Sequence, residues 1–157
     1  EDNPASVAWQ VQQLGTELAN EFKVTMNSLS ADEASRVAAE QRDFPLTETL
    51  PITFKANVLP ALAWEFVKRT REVGPQQVLF GNGIIHGQLA DINALSRLQS
   101  AAGECGGNLV LLRCPKEEKT LARVWGRPPE ALDLMRGVKK QFDPQGIFNP
   151  NRFVGGI

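Results

Sequence analysis

The stretch QQVLFGNGIIHGQL, residues 76–89, contains two apolar segments separated by a short glycine-rich sequence. Gln76–Phe80 and Ile84–Leu89 have the length and the residue types of β-strands. Between them, Gly81-Asn82-Gly83 supplies residues that tolerate a positive φ angle and is typical of a tight turn. The stretch therefore predicts a β-hairpin.

The segments on either side of this hairpin predict two further strands and two helices. Upstream, Ile52–Val58 alternates apolar and polar residues with the period of a half-buried strand. A helix is expected between Pro60 and Gly74. Downstream, Asp91 begins an amphipathic helix, and Leu109–Arg113 has the composition of another strand. The order strand, helix, strand, strand, helix, strand predicts an α+β fold: a ferredoxin-like antiparallel sheet with helices on one face.

Helices are also predicted on both sides of this central unit. Asn3-Pro4 places a capping side chain before proline, which is typical of a helix start. Ser30–Glu33 fits a capping box for a second helix, which Pro45 ends. We expect Lys23–Leu29 to be a short extended piece. Pro128-Pro129 introduces a last amphipathic helix.

The length of 157 residues suits one domain, so we expect residues 1–157 to fold as a single domain. The sequence starts at Glu1 and not at methionine, and we expect it to be a processed product or an excised piece. Residues 143–157 are rich in glycine, proline and asparagine. They nevertheless keep four apolar residues, Ile147, Phe148, Phe153 and Val154. A disordered tail has little use for such residues, so we expect this tail to be ordered against another surface.

Composition narrows the range of partners. The formal net charge is -1, from 17 basic and 18 acidic residues, so no basic stripe is available for nucleic acid. The apolar runs are only a few residues long, and we expect no membrane span and no secretory signal. With one histidine, and with Cys105 and Cys114 expected to be packed thiols, we expect no metal site in this chain.

The C-terminal part of the sequence resembles a known family. Asp143-Pro-Gln-Gly-Ile-Phe-Asn-Pro150 resembles the DPxGIxNPG signature near the C-terminus of FAD-linked oxidases of the vanillyl-alcohol oxidase type. Trp125–Pro129 and Leu134–Lys140 resemble the FAD-binding subunit of bacterial glycolate oxidase. Asn151 stands where the family usually has glycine, and asparagine tolerates left-handed backbone better than most residues do.

The resemblance implies that this chain is the cap, or substrate domain, of a larger flavoenzyme whose flavin is held mainly by an N-terminal FAD-binding domain. That domain would be a partner, since the sequence has no GxGxxG motif between a strand and a helix. The tail, residues 143–157, would then pack on the flavin domain. The resemblance also implies FAD as cofactor, a small 2-hydroxyacid such as glycolate as substrate, and flavoprotein and iron–sulfur subunits as partners. It implies a cytoplasmic location, peripheral to the inner membrane through the partner subunits.

The resemblance suggests site residues on the hairpin. Gly81-Asn-Gly-Ile-Ile-His86 is similar to a GDGNLH segment of 2-hydroxyacid-oxidising flavoproteins, in which the histidine lies near the substrate. Alternation places His86 on the opposite face from Ile85 and Leu89, so it would face away from the helices. There an imidazole could bind the substrate or accept its proton. Asn82 is a second candidate, and the alternative for His86 is a surface or partly packed side chain.

Other candidates lie at a strand end and in the tail. Arg113 could bind a substrate carboxylate with paired hydrogen bonds, or it could simply reach solvent. Simple alternation gives it the same face as Leu109 and Leu111. Asn149, Pro150 and Arg152 match the tail signature and could lie on the flavin side, or they could serve turn formation and solvation.

Three functions remain open from the sequence. The first is the cap domain of a flavin-dependent 2-hydroxyacid dehydrogenase, in which the flavin accepts a hydride from the substrate. The isolated chain would then be inactive. The second is a ferredoxin-like ligand-binding or regulatory module, and the third is a subunit-assembly domain without a redox role.

Overall fold

The computed structural model describes residues 3–22 and 27–157, which form two compact units, one that ends at Glu40 and one that spans Gln41–Ile157. The predicted extended piece lies mostly outside the described residues. Of Lys23–Leu29, only residues 27–29 are described, and they form no regular structure. The prediction of one cap domain over residues 1–157 is not tested by this division.

The first unit consists of helical segments. Helix α1 spans Pro4–Phe22, and helix α2 spans Ala31–Asp43 and ends in the second unit. The predicted start signals are both formed. The side chain of Asn3 accepts a hydrogen bond from the amide of Ala5 at 3.0 Å. The carboxylate of Glu33 accepts the Ser30 amide at 2.8 Å, which is the reciprocal half of a capping box. Neither helix has a buried residue.

The second unit is built on a four-stranded antiparallel sheet. Its strands are β1 (Ile52–Asn57), β2 (Gln76–Leu79), β3 (Ile84–Leu89) and β4 (Asn108–Arg113), and their spatial order is β2-β3-β1-β4. Each neighbouring pair is antiparallel. This is the order of a ferredoxin-like fold, and it confirms the predicted α+β class and the predicted strands to within a residue or two at each end.

Two helices cover one face of the sheet. Helix α3 (Ala63–Thr70) follows β1, and helix α4 (Leu95–Glu104) follows β3. Their apolar residues join a single core with alternate residues of the strands, among them Phe54 and Ile85, both fully buried. The ring of Phe54 packs directly on the backbone of Gly87, because a Cβ atom at Gly87 would lie 2.2 Å from that ring. The buried apolar set therefore accounts for the helix-covered face.

The chain ends in two short helices and a folded tail. Helix α5 (Leu121–Trp125) packs beside the edge strand β4, and helix α6 (Leu132–Phe142) follows the Pro128-Pro129 pair as predicted. The tail then turns back, so that Val154 is buried and Phe153 contacts the indole of Trp125 edge-on at 5.3 Å between ring centroids. No helix in the part of the chain that the structure describes has the length and hydropathy needed to cross a membrane.

Candidate functional site

The face of the sheet opposite α3 and α4, here called the open face, carries the predicted substrate-facing residues. Strand register arranges its side chains in rows that run across the sheet. The middle row is Gln77, His86, Lys55 and Val110, with one residue from each strand. His86 therefore lies on the face predicted for it, and Lys55 is its cross-strand neighbour. Both side chains are half-buried.

In the row at one end of the open face, the polar side chains are hydrogen-bonded to a neighbouring segment of the chain. Gln88 and Thr53 are paired across β3 and β1, and both are fully buried. The amide of Gln88 contacts the connector before β1, residues 44–50. Its Nε2 donates to Thr47 Oγ1 at 2.6 Å, and its Oε1 accepts the amide of Leu50 at 3.1 Å. These bonds anchor the connector at this end of the sheet.

Arg113 occupies the same end row, which corrects the face predicted for it. Leu111 pairs with Phe54, but Arg113 pairs with Thr53, so Leu112 is an extra residue and the alternation of β4 shifts there. Arg113 consequently points to the open face and not to the face of Leu111. Simple alternation along β4 does not predict this bulge.

Those bonds give Arg113 a structural function. Its guanidinium donates to the carbonyl oxygens of Leu50 at 2.6 Å and Thr47 at 3.0 Å, and it pairs with Glu48 at 3.0 Å. The side chain therefore neither simply reaches solvent nor presents an unoccupied guanidinium. It holds the connector on the sheet, and substrate contact by Arg113 stays a prediction.

Asn82 lies at the other end of the open face, in the turn between β2 and β3. Its side-chain oxygen accepts the amide of Ile84 at 3.1 Å, and its own amide donates to Leu79 at 3.2 Å. The nearest row consists of Leu79, Ile84, Asn57 and Asn108, in which the two asparagine side chains are hydrogen-bonded to each other at 3.3 Å. The side chain of Asn82 thus stabilises the turn and lies beyond the His86 row.

The imidazole of His86 departs from this pattern of satisfied polar groups. Its Nδ1 is buried and has no hydrogen-bond partner among the described residues. Burial lowers the pKa of His86, and the nearby charge of Lys55 lowers it further, so the neutral imidazole is favoured. A neutral imidazole has one nitrogen that can accept a hydrogen bond or a proton.

Lys55 was not singled out by the sequence analysis, although a signal was present. The alternation of Ile52–Val58 puts Lys55 on the face away from the core, and the predicted strand order puts β1 beside β3. What the sequence could not supply was the register that sets Lys55 directly opposite His86. Among the described residues Lys55 makes no ion pair and no hydrogen bond.

The tail candidates form a second, separate cluster on α6. Asp143 ends the helix and is largely buried; its carboxylate accepts the amides of Ile147 at 3.0 Å and Phe148 at 2.9 Å. Lys139 pairs with the same carboxylate at 2.6 Å. These contacts lower the pKa of Asp143, with the Lys139 hydrogen bond as the largest cause. The tail is therefore ordered by contacts within this chain.

The turn after this anchor contains the matched asparagines. Asn149 and Asn151 both have a positive φ, of 49° and 59°, which confirms that Asn151 takes the left-handed backbone expected at a glycine position. The amide of Arg152 donates to the carbonyl of Asn149 at 3.1 Å and closes the turn, with Pro150 between them. The turn chemistry is thus formed; a cofactor contact by Asn149, Pro150 or Arg152 stays a prediction.

An open apolar groove of about 700 Å³ lies between α6 and the tail. Leu134, Phe142, Phe148 and Phe153 line it, together with Asn149 and Arg152. Phe142 is 81% exposed and Phe148 is 63% exposed. Exposed apolar side chains grouped in this way are typical of a contact surface for another protein segment.

The cysteines and the possible metal ligands form no further site among the described residues, and Trp125 has a packing contact. Cys105 is buried and Cys114 is half-buried, and both are thiols. Within residues 3–22 and 27–157, no group of three or more histidine, cysteine, aspartate or glutamate side chains is placed to bind a metal ion. Trp125, whose function the sequence left open, packs against Phe153.

Comparison with known proteins finds one similarity, in the C-terminal part of the chain. Residues 118–153 match the family model of FAD linked oxidases, C-terminal domain. The match covers α5, α6 and the tail as far as Phe153, the segment on which the sequence resemblance rests. No curated protein and no solved structure matches the chain. The family match supports the resemblance of this segment to the C-terminal domain of FAD-linked oxidases.

Proposed function

We propose that this chain is the cap and substrate domain of a flavin-dependent 2-hydroxyacid dehydrogenase, the FAD-binding subunit of a glycolate oxidase that converts glycolate to glyoxylate. The observation that carries the proposal is the position of the family match. Residues 118–153 include α6 and most of the tail, the elements that line an exposed apolar groove. In the proposed assembly an FAD-binding domain covers this groove.

The described residues of this chain do not form the main binding site that FAD would need. Binding the pyrophosphate usually needs a glycine-rich turn that opens a helix, so that backbone amides point at the phosphates. In the described part of the chain, the glycine-rich turn Gly81–Gly83 joins two strands and precedes no helix. This supports an arrangement in which a separate domain binds the flavin and the tail of this chain contacts it. Asn149 and Arg152 are the candidate contacts.

The test is reconstitution with an FAD-binding domain of an FAD-linked oxidase from the same genome, co-expressed with this chain. We expect a flavin-containing complex that reduces an artificial electron acceptor with glycolate. The chain alone should be colourless, and FAD fluorescence should not change when the chain is added. Saturable FAD binding and turnover by the isolated chain would refute the proposal.

Surface variants locate the interface. Phe142→Ser and Phe148→Ser remove exposed rings from the groove, and we expect each to weaken the complex without unfolding the chain. The matched control is Trp64→Ser, because Trp64 is 58% exposed but lies on α3, outside the groove. Loss of the complex with Trp64→Ser and not with the groove variants would place the partner elsewhere and contradict the proposed assembly.

A further inference from the structure

A cavity of about 580 Å³ lies where the end of α4 and the start of β4 meet α5, α6 and the tail. Trp125 lines it, and it is here called the Trp125 cavity. Among the described residues, its lining comes from within 103–108, 125–135 and 153–154, and includes neither the hairpin β2–β3 nor Lys55. It shares Met135 and Phe153 with the apolar groove, and its other lining residues differ. The volume is within the range of about 300–1,000 Å³ that is usual for small-molecule sites.

The walls of the Trp125 cavity are held in place by contacts within the chain. On α4, the Nε2 of Gln99 donates to the carbonyl of Arg123 on α5 at 3.0 Å, so the two helices beside the cavity are joined. The tail forms another wall, since Phe153 meets the indole of Trp125 edge-on and Val154 is buried. A cavity with walls joined in this way exists before a ligand arrives, and little ordering of the protein opposes binding.

Gly103 keeps part of this cavity free of side chains. It lies in the last turn of α4 and lines the cavity. A Cβ atom added at this position would meet no atom of the surrounding structure within 4 Å, and the backbone there does not have a positive φ. A larger side chain at position 103 would therefore occupy space in the cavity without displacing the fold.

The cavity combines an apolar surface with two opposite charges. Trp125 and Met135 are half-buried and give it a ring and a flexible thioether, next to the ring of Phe153. Arg127 and Glu130 also line it, one on each side of the Pro128-Pro129 pair. Among the described residues neither of these charged side chains has an ion pair or a hydrogen bond, and the indole N–H of Trp125 has no acceptor. One donor group for an anion and one acceptor group for a cation are therefore free beside the same apolar surface.

We propose that the Trp125 cavity binds a free amino acid with an apolar side chain. The carboxylate of the ligand contacts the guanidinium of Arg127 and the indole N–H of Trp125, its ammonium group contacts Glu130, and its side chain packs on Trp125, Met135 and Phe153. A simple anion would leave the carboxylate of Glu130 unpaired, and a simple cation would do the same to Arg127, so a zwitterion is the ligand class that satisfies both. Such binding goes beyond the proposed function and does not depend on it.

The three tryptophans of the sequence give a direct assay on the complete 157-residue chain without flavin. Each indole N–H gives its own signal in a proton–nitrogen correlation NMR spectrum, and Trp9→Phe and Trp64→Phe assign the signals by their loss. Added L-phenylalanine or L-leucine should shift the Trp125 signal, with saturation at millimolar concentration. The signals of Trp9 and Trp64 should stay in place, because these exposed side chains lie outside the cavity. No saturable shift of the Trp125 signal, or an equal shift of all three, would overturn the site.

A set of related ligands tests the zwitterion. 3-Phenylpropionate lacks the ammonium group of L-phenylalanine, and phenethylamine lacks its carboxylate. Each should bind about tenfold more weakly than L-phenylalanine, because each loses one charge-assisted hydrogen bond. Glycine, which has no apolar side chain, should give no saturable shift. Equal binding of 3-phenylpropionate and L-phenylalanine would refute recognition of an amino acid.

Variants of the two charged residues test the orientation of the ligand. Arg127 and Glu130 are exposed, so Arg127→Met and Glu130→Gln should fold normally. Arg127→Met should weaken L-phenylalanine binding about tenfold and leave phenethylamine binding unchanged, and Glu130→Gln should weaken L-phenylalanine binding and leave 3-phenylpropionate binding unchanged. Variants that bind L-phenylalanine as well as the wild type does would refute the assigned contacts.

Filling the cavity tests its location. Gly103→Leu should weaken L-phenylalanine binding at least about tenfold, because the leucine side chain takes the space of the ligand, and leucine is a better helix former than glycine. The matched control is Gly137→Leu, since Gly137 is a helical glycine with equally free surroundings and lies on α6 outside the cavity. Unchanged binding in Gly103→Leu, or an equal loss in Gly137→Leu, would refute the Trp125 cavity as the site.

The result is independent of the test of the proposed function. If L-phenylalanine shifts the Trp125 signal and no flavin complex forms, the amino-acid site stands and the proposed enzyme is wrong. If the flavin complex turns over glycolate and the Trp125 signal does not respond to amino acids, the proposed function stands and this site is wrong.

Discussion

Replacement of Gln88 by leucine should release the connector and destabilise the sheet unit. Gln88 is a residue of β3 and is 1% exposed, and its side chain contacts residues 44–50. Its Nε2 has contacts with Thr47 Oγ1, Thr47 O and Phe44 O, and its Oε1 accepts Leu50 N. An amide nitrogen has two hydrogens, so these contacts amount to three hydrogen bonds at a time.

The size of the effect follows from these three bonds. Each net hydrogen bond contributes about 1 kcal/mol, so their loss costs about 3 kcal/mol if nothing relaxes. Leucine fills a similar volume, and the connector can move out to let water reach its polar groups. We therefore expect a loss of about 2–3 kcal/mol, and a melting temperature lower by about 5–10 °C for a chain of this length.

The assay is urea unfolding followed by circular dichroism, combined with amide hydrogen exchange. Gln77→Leu is the control, because this glutamine has one hydrogen bond, to the carbonyl of Gln41, and should cost less than about 1 kcal/mol. The amide of Leu50 should lose protection in Gln88→Leu and keep it in the control. Equal stability losses in the two variants, or an unchanged Leu50 amide, would refute the assigned function of Gln88.

Two further predictions concern the core and the tail. Gly87→Ala should destabilise the sheet by about 1–3 kcal/mol in thermal unfolding, because its methyl group would meet the ring of Phe54; a neutral result would show that the ring moves aside freely. The pKa of Asp143 is lowered, so the stability this carboxylate gives the tail is complete above its ordinary value of 3.8 and is lost as the pH falls through the lowered pKa. The amide signal of Phe148 should therefore shift in acid below pH 3.8 in the wild type, whereas Asp143→Asn should lack both the transition and the Lys139 ion pair at neutral pH. An acid transition that persists in Asp143→Asn would assign it to another group.

The sequence predicted the elements of the sheet unit because local patterns determine them. Alternation in Ile52–Val58 and the glycine turn before Ile84 are properties of neighbouring residues, and the buried set of the strands agrees with both. The order of the elements then left few topologies, and the antiparallel ferredoxin-like order is the one found.

The details of the site depended on contacts between distant residues. The bulge at Leu112 turns Arg113 to the face on which it reaches Thr47 and Leu50, which are more than 60 positions away in the sequence. Simple alternation therefore predicted the face of Leu111 for Arg113, and this prediction was wrong. The connector before β1 looked like a linker, since the bond from Leu50 to Gln88 that makes it part of the sheet has no local signal.

The open face and the tail groove differ in chemistry, and this difference bears on how a cap domain would work. The groove is lined by exposed apolar rings, which suit burial against a protein surface. The middle row of the open face instead contains two half-buried polar side chains, Lys55 and His86. No hydrogen bond or ion pair joins the two clusters among the described residues. If the groove holds the flavin domain, a groove variant such as Phe148→Ser should weaken assembly with that domain. Lys55→Met, on the open face, should leave this assembly unchanged, and loss of assembly in this variant would place the contact on the sheet and not in the groove.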